Sequence, residues 1–494
     1  MSSTVERPRL PRVVLLVAAI VFLSCFVYCT AGGLSSWFSC DDLMNLHNSL
    51  SKIVLNDAKD DFHFEPLGTP ELLLGHFKVW GSLERPAGQA LYRAIYSIWG
   101  FSPLPYRVAA FAFLVANLGL LYLLARKLSG MDDAAVLVML ITGLNASFVS
   151  VYYDTGMIYD ALCFFFYFGA LVWYVHIRNH GVDVGTRQIA VLLCLFLLAV
   201  NSKEVGLSLP VALLCYELLW HPPGVSKTAW LRGPARAGLA VSLLAVLYVA
   251  GKFFGHGVMN NHAAYHPHLS VGLYMENYAA YLAQWSYGLL PATRGNMPYL
   301  LAALILLSFV TRRRAMIWAA IMIPVAILPL AFIPVRAGYA FYVPAVFWAI
   351  WLADGCAALV VWTFSRLPRC VPAARVTALV LVAGCLLPLH VRKFHDPLAV
   401  VHDVQNANRR YHDQLLSVLP AVPPGARLLV VNDPYPADGF DASFLIRLTY
   451  EDLTLRIDRT RFPWLAKKSF RPSDYDVVLD FVNDRFIVSS RRRP

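Results

Sequence analysis

Charge is scarce in this chain: only 15% of its 494 residues are Asp, Glu, Lys or Arg. Soluble domains carry about a quarter, so the deficit argues against a soluble enzyme, as do 58% hydrophobic residues and a mean hydropathy of +0.54. No CxxC pair and no zinc-like Cys/His spacing occurs. Of nine cysteines, Cys25, Cys29, Cys163, Cys194, Cys215, Cys356 and Cys385 lie in apolar segments, where Cys packs as a small hydrophobe. That excludes a disulfide framework. No basic run is interleaved with stacking aromatics, which argues against single-stranded nucleic acid as a partner. There is no internal repeat and no low-complexity tract. No small-residue cleavage site follows the first apolar stretch, which reads as a retained anchor.

What the chain does have is apolar length. Stretches suited to crossing about 30 Å of hydrocarbon lie near 13–33, 104–125, 133–152, 157–177, 188–201, 204–220, 236–255, 297–311, 315–334, 341–363 and 374–391. The pattern predicts an all-α polytopic membrane protein of about eleven spans, the fifth, sixth and eighth being short. The formal charge of +11 is then a topology signal. Arg126-Lys127, Arg178 with Arg187, Lys227 with Arg232 and Arg236, Arg312-Arg313-Arg314, and Arg366 with Arg369 and Arg375 fall on alternate loops, on the side of the basic N-terminus. The positive-inside rule puts that side in the cytoplasm. Residues 270–291 are aromatic but interrupted by Glu276, Asn277 and Gln284, and read as an interfacial or re-entrant helix.

Three regions then face outward. Loop 34–103 holds an amphipathic stretch, 88–99, expected to lie along the membrane. Loop 256–296 holds four histidines, and the tail from about 392 is soluble. The expected domains are a membrane domain, 1–391, and a small extracytoplasmic α/β domain, 392–494. In the tail the periodicity predicts helices at 396–418 and 439–450 and strands at 427–432, 453–457, 476–482 and 485–490.

The outward side gathers the polar groups. Trp37-Phe38-Ser39-Cys40-Asp41-Asp42-Leu43-Met44-Asn45 puts two carboxylates just beyond the first span. On residue type alone, Asp41 could cap the next helix and Asp42 be merely solvated. Asp154 lies between the third and fourth spans, with Asp160 six residues on and directed to a different helical face. Lys203-Glu204 lies between the fifth and sixth, and Arg336 between the ninth and tenth. Ionisable groups at a membrane edge are costly and default to functional hypotheses, although Lys203 could equally pair with Glu204 or snorkel. A carboxylate base beside Lys and Arg suits a reaction in which a hydroxyl is deprotonated and a phosphate leaves.

These residues resemble, in order and type, the C-type (GT-C fold) membrane glycosyltransferases, and among them the polyprenyl- or dolichyl-phosphate-sugar-dependent mannosyltransferase relatives. The acidic pair after the first span is similar. So are Arg85-Pro86-Ala87-Gly88 running through Leu91-Tyr92 and Tyr96-Ser97-Ile98-Trp99-Gly100 to Pro103-Leu104-Pro105-Tyr106-Arg107, Ser202-Lys203-Glu204 with Leu209-Pro210 and Tyr216-Glu217, and Tyr342-Val343-Pro344-Ala345. The similarity covers roughly residues 10–365. It implies a GT-C-like fold and transfer of a sugar from a polyprenyl phosphate, with inversion, to a glycan, lipid or protein acceptor. By the resemblance, Asp41 or Asp42 is the base and Asp154 a second acidic site, orienting acceptor or, in relatives that need one, a divalent metal (Mg or Mn). Lys203 and Arg336 hold the departing phosphate, and Asn45, Arg85 and Glu204 complete the binding set. Of the two acids Asp41 is favoured as the base, because two carboxylates this close rarely share the role. Two departures stand. The family often has Glu-Arg-Tyr where this chain reads Gly338-Tyr339-Ala340, with its Arg further back at 336, and the tail has no 34-residue helical repeat.

Other readings compete. His262 and His266 have an i, i+4 ligand spacing, with His268 beside them, but Pro267 breaks a helix there and no carboxylate falls at a matching offset. A substrate-covering loop is the expectation. Asn145-Ala146-Ser147 fits a glycosylation sequon, yet lies inside the third span. A glycan polymerase or ligase would depend on a late loop with His262 or Arg294, and a transporter or flippase would show related halves with midplane charges. No such symmetry is detected, and the acids after the first span favour the transferase, with the polymerase or ligase as the alternative enzyme. Composition and the lack of sequons in the outward loops suit a bacterial inner membrane, with the endoplasmic reticulum as the alternative.

Overall fold

The computed structural model describes residues 11–56, 61–66, 85–182, 184–223, 227–254, 266–462 and 470–491. Within the described residues, each of the eleven apolar stretches is mostly helical. Among the described residues six helices are long and apolar enough to cross a membrane: Arg12–Ser35, Pro103–Ser129, Thr155–Asn179, Arg314–Ala331, Pro344–Thr363 and Val371–Val418. Asp132–Thr142 and Ala146–Tyr153, bent by 57° at Gly143–Asn145, make a seventh if taken as one span. Among the described residues, six or seven of the expected eleven spans thus meet the length and composition of a membrane-crossing helix. The Thr186–Val200 and Met297–Thr311 helices have 15 residues each, and Leu209–Trp220 has 12. At 1.5 Å per residue these reach about 18–23 Å.

The arginines of the basic loops are not simply solvated. Arg126 pairs with Asp132 at 2.7 Å, Arg178 with Glu217 at 2.8 Å and Arg313 with Asp354 at 2.6 Å, and Arg375 clasps Asp133. These pairs staple helix ends together. Along the Pro103–Ser129 helix, Arg107 and Arg126 are nineteen residues apart, about 28 Å, so that end of the bundle lies far from the acidic pair.

Val271–Trp285 is a 15-residue helix that buries Tyr274, Asn277, Tyr278, Tyr281, Leu282 and Trp285. Asn277 donates to the carbonyls of Ala331 and Ile333, both at 2.8 Å. The interruption that argued against a span is thus a buried clamp on the end of the Arg314–Ala331 segment. Pro86–Trp99 buries Pro86, Gly88, Gln89, Tyr92 and Ile95 and leaves Ile98 and Trp99 exposed.

The tail begins without a break. One 48-residue helix, Val371–Val418, runs from apolar segment through residue 391 to the sheet. The sheet places Arg456–Arg459, Arg427–Val431, Val477–Val482 and Arg485–Arg491 side by side in that order. The first two pairings are parallel and the last is antiparallel. Asn483 and Asp484 turn the final hairpin at φ of 50° and 60°. The second tail strand falls at 456–459 instead of 453–457, because residues 451–454 form the turn after the Asp441–Thr449 helix. That helix packs on Cys40–Leu50, with the rings of His47 and Phe444 4.6 Å apart. The tail therefore sits directly on the helix that carries the acidic pair.

Candidate active site

Ser39 begins the acidic helix. Its hydroxyl accepts from the Asp42 amide at 3.1 Å, and its own amide donates to Asp42 Oδ2 at 2.9 Å, a reciprocal capping box. The cap is Ser39, so neither part of the bland reading of the acidic pair holds. Asp42 is fully buried. It accepts from Tyr92 Oη at 3.2 Å and pairs with Arg107 Nη2 at 2.8 Å. Arg107 also donates to the carbonyls of Ser36 and Trp37. Every oxygen of Asp42 is committed to holding the turn.

One residue earlier, Asp41 is exposed and faces a cavity of about 720 Å³. The surrounding protein, then the Asp42 charge, push its carboxyl above the ordinary range. Asn45, one helical turn on, also lines the cavity and donates to the Gly156 carbonyl at 3.3 Å. Gly156 fits where little else would: a Cβ there would lie 2.7 Å from Asp41 Cβ and 2.8 Å from Asp154 Oδ1.

Asp154 is not on the cavity wall. It caps the Thr155–Met157 turn, Oδ1 accepting from the Gly156 amide at 2.7 Å and from Ser39 Oγ at 2.8 Å. Burial and the Asp42 charge raise its pKa. It braces the turn beneath Asp41. Asp160, six residues on, does reach the cavity, because the chain breaks between them into a 3₁₀ turn before the Ile158–Asn179 helix.

The same cavity holds the cations. Lys203 is buried, pairs with Asp160 and stands 4.8 Å over the Tyr339 ring. Arg85 pairs with Glu204 at 3.2 Å and lies 5.6 Å over the Tyr159 ring. Arg336 lines it too, its backbone amide held by Tyr281 Oη at 2.8 Å. Lys252 completes the set, 5.3 Å over Tyr248. Among the described lining residues, Arg85, Lys203, Lys252 and Arg336 share this cavity with the acids Asp41, Asp160 and Glu204. Leu207, Val211, Val249, Leu328, Phe332 and Ile333 give the cavity an apolar lining as well.

No family model matches the chain. No curated protein matches it either. Among solved structures it is similar to ArnT from Cupriavidus metallidurans, crystallised bound to undecaprenyl phosphate. The two are 13% identical, the match covers 90% of this chain and 85% of that one, and the TM-score is 0.48.

Of the residues singled out by sequence, Asp41, Asn45, Arg85, Lys203, Glu204 and Arg336 meet at the cavity, and Asp42 and Asp154 stand behind it. Sequence reading passed over Lys252, although a cation ending an apolar helix is a signal in itself. It met Tyr339 only as a departure from a motif, and Arg107 and Tyr92 only as letters in one. His256 and His262 lie outside the described residues. His266 and His268 are exposed, with rings 5.4 Å apart. Among the described residues no group of three or more His, Cys, Asp or Glu could hold a metal ion. Asp154 Oδ1 already accepts two hydrogen bonds on a carboxyl with a raised pKa. An oxygen engaged in this way is a poor ligand for a divalent cation.

Proposed function

We propose that this protein is a membrane glycosyltransferase of the GT-C kind. It moves a sugar from a polyprenyl phosphate to a hydroxyl-bearing acceptor on the extracytoplasmic face of an inner membrane. The observation that carries the reading is the polarity of one cavity. An exposed carboxylate, Asp41, a cluster of cations and an apolar lining share that cavity. A prenyl-phosphate sugar has matching parts: a hydroxylated ring, an anion and an apolar chain.

In this reading the chain lies along Val211, Val249, Leu328 and Phe332. The phosphate is held by Lys203, Arg85, Lys252 and Arg336, Lys as a point charge and Arg as a planar fork. The acceptor hydroxyl approaches Asp41, which takes its proton as the oxygen attacks the anomeric carbon. The bond from that carbon to the phosphate oxygen breaks, its electron pair stays on the phosphate, and the anomeric configuration inverts. A carboxylate with a raised pKa is the better base. The cations meet the charge that grows on the leaving oxygen, which is where preorganised electrostatics help most.

The test is transfer of labelled sugar from a panel of polyprenyl-phosphate sugars into membranes carrying the wild type or Asp41→Asn. The wild type should consume at least one donor and the variant should not. Failure of every donor with the wild type, or an Asp41→Asn variant as active as the wild type, would overturn the reading.

A further inference from the structure

The turn that aims Asp41 is held from outside the membrane domain. Phe38 precedes the Ser39 cap, and its ring stacks on Phe101 at 4.8 Å. Asn408, on the Val371–Val418 helix and 1% exposed, donates from Nδ2 to the Phe38 carbonyl at 3.1 Å. Its Oδ1 accepts from Tyr435 Oη at 2.8 Å. The backbone amide of Tyr435 donates to Asp433 at 3.1 Å, and Asp433 is clasped through both oxygens by Arg459, at 2.6 and 2.9 Å, both side chains being buried. Asp433 lies just past the Arg427–Val431 strand and Arg459 ends its parallel neighbour. A hydrogen-bonded chain thus runs from the strand ends of the tail to the residue before the cap.

We infer that Asn408 is a positioning residue through which the C-terminal domain sets the direction in which Asp41 enters the cavity. The amide suits this task because it must donate to a carbonyl and accept from a hydroxyl at once. Leucine of the same shape does neither, and aspartate would set an oxygen against the Phe38 carbonyl. The tail is then part of the catalytic apparatus without touching substrate, an assignment that rests on Asp41 being the base.

The test uses the full-length protein with Asn408→Leu and, as the milder variant, Tyr435→Phe, which removes one oxygen and leaves Asn408 in place. A displaced base should lower kcat, on the order of a hundredfold for Asn408→Leu, with the donor KM within about twofold of wild type. Tyr435→Phe should shift kcat in the same direction by about tenfold or less. A second measurement does not need the reaction. Cys40 Sγ lies 3.8 Å from Asn408 Nδ2, so loosening the turn should speed maleimide labelling of Cys40 by about fivefold or more. Unchanged kcat and unchanged labelling in Asn408→Leu overturn the inference, as does a raised KM at constant kcat. If Asn408→Leu does not fold, Tyr435→Phe decides by the same two measurements. If the wild type transfers no sugar, the function proposed above fails, and Cys40 labelling still decides whether the tail holds this turn.

Discussion

Arg107 Nη2 lies 2.8 Å from Asp42 Oδ2, with both side chains buried, and this contact separates the roles of two adjacent carboxylates. Asp42 is consumed in holding the loop, and Asp41 is left facing the cavity. Asp42→Ala should therefore behave as a folding variant. Removing one member of a buried pair strands the other charge and costs about 3–5 kcal/mol. Thermal unfolding in detergent should show a large loss of stability for Asp42→Ala and none for Asp41→Asn.

The pH dependence follows from the direction of the Asp41 shift. As a base it must be ionised, so activity should fall as pH drops through its raised pKa, placing the acidic limb above the ordinary Asp value of about 3.9. For stability the sign reverses. A folded pKa above the unfolded one means the fold favours the protonated acid, so this contribution is present at low pH and is lost as pH rises through the folded pKa. Asp41→Asn should then melt slightly higher than wild type at neutral pH and not at low pH. Equal melting at both pH values would show that Asp41 carries no such shift.

Gly156→Ala tests the crowding between the two acids. The added carbon would meet Asp41 Cβ at 2.7 Å and Asp154 Oδ1 at 2.8 Å, so the Asp41 turn must shift. Overpacking of this kind costs about 1–3 kcal/mol. Activity should fall on the order of a hundredfold, in a protein that still purifies as a monodisperse species. Wild-type kcat in Gly156→Ala would place Asp41 outside the reaction.

The Lys203–Asp160 pair separates stability from binding. Lys203→Met alone leaves Asp160 buried without its partner and should destabilise the protein by about 3–5 kcal/mol. Adding Asp160→Leu should recover much of that loss, since an apolar pair often replaces a buried ion pair at little cost. Activity should not recover, because the phosphate site still lacks Lys203. A double variant with restored melting and restored donor KM would remove Lys203 from the donor site.

Much of the candidate site was legible along the chain, because the cost of ionisable groups near lipid leaves few of them to consider. Asp41, Lys203 and Arg336 stood out on that ground and line one cavity. Lys252 has the same signal and was missed by counting it as the end of an apolar helix. Asp154 shows the limit of residue type: a carboxylate at the membrane edge reads alike whether it faces a cavity or caps a turn. The span count shows another limit. Hydropathy marks apolar runs, but Asn277 within 270–291 and the bend at Gly143–Asn145 are tertiary facts, set by which carbonyls need a donor.

By itself, the sequence determined that this is a multi-pass helical protein with a small α/β tail, and that acids and bases gather where apolar segments end. Transfer free energy acts residue by residue, so composition and spacing suffice for that. Only the tertiary structure decided which of Asp41 and Asp42 is available, that Asp160 and not Asp154 meets Lys203, and that Asn408 in the tail holds the turn bearing Asp41. Those outcomes depend on hydrogen-bond partners 43 to 370 residues apart in the chain, which no local pattern encodes.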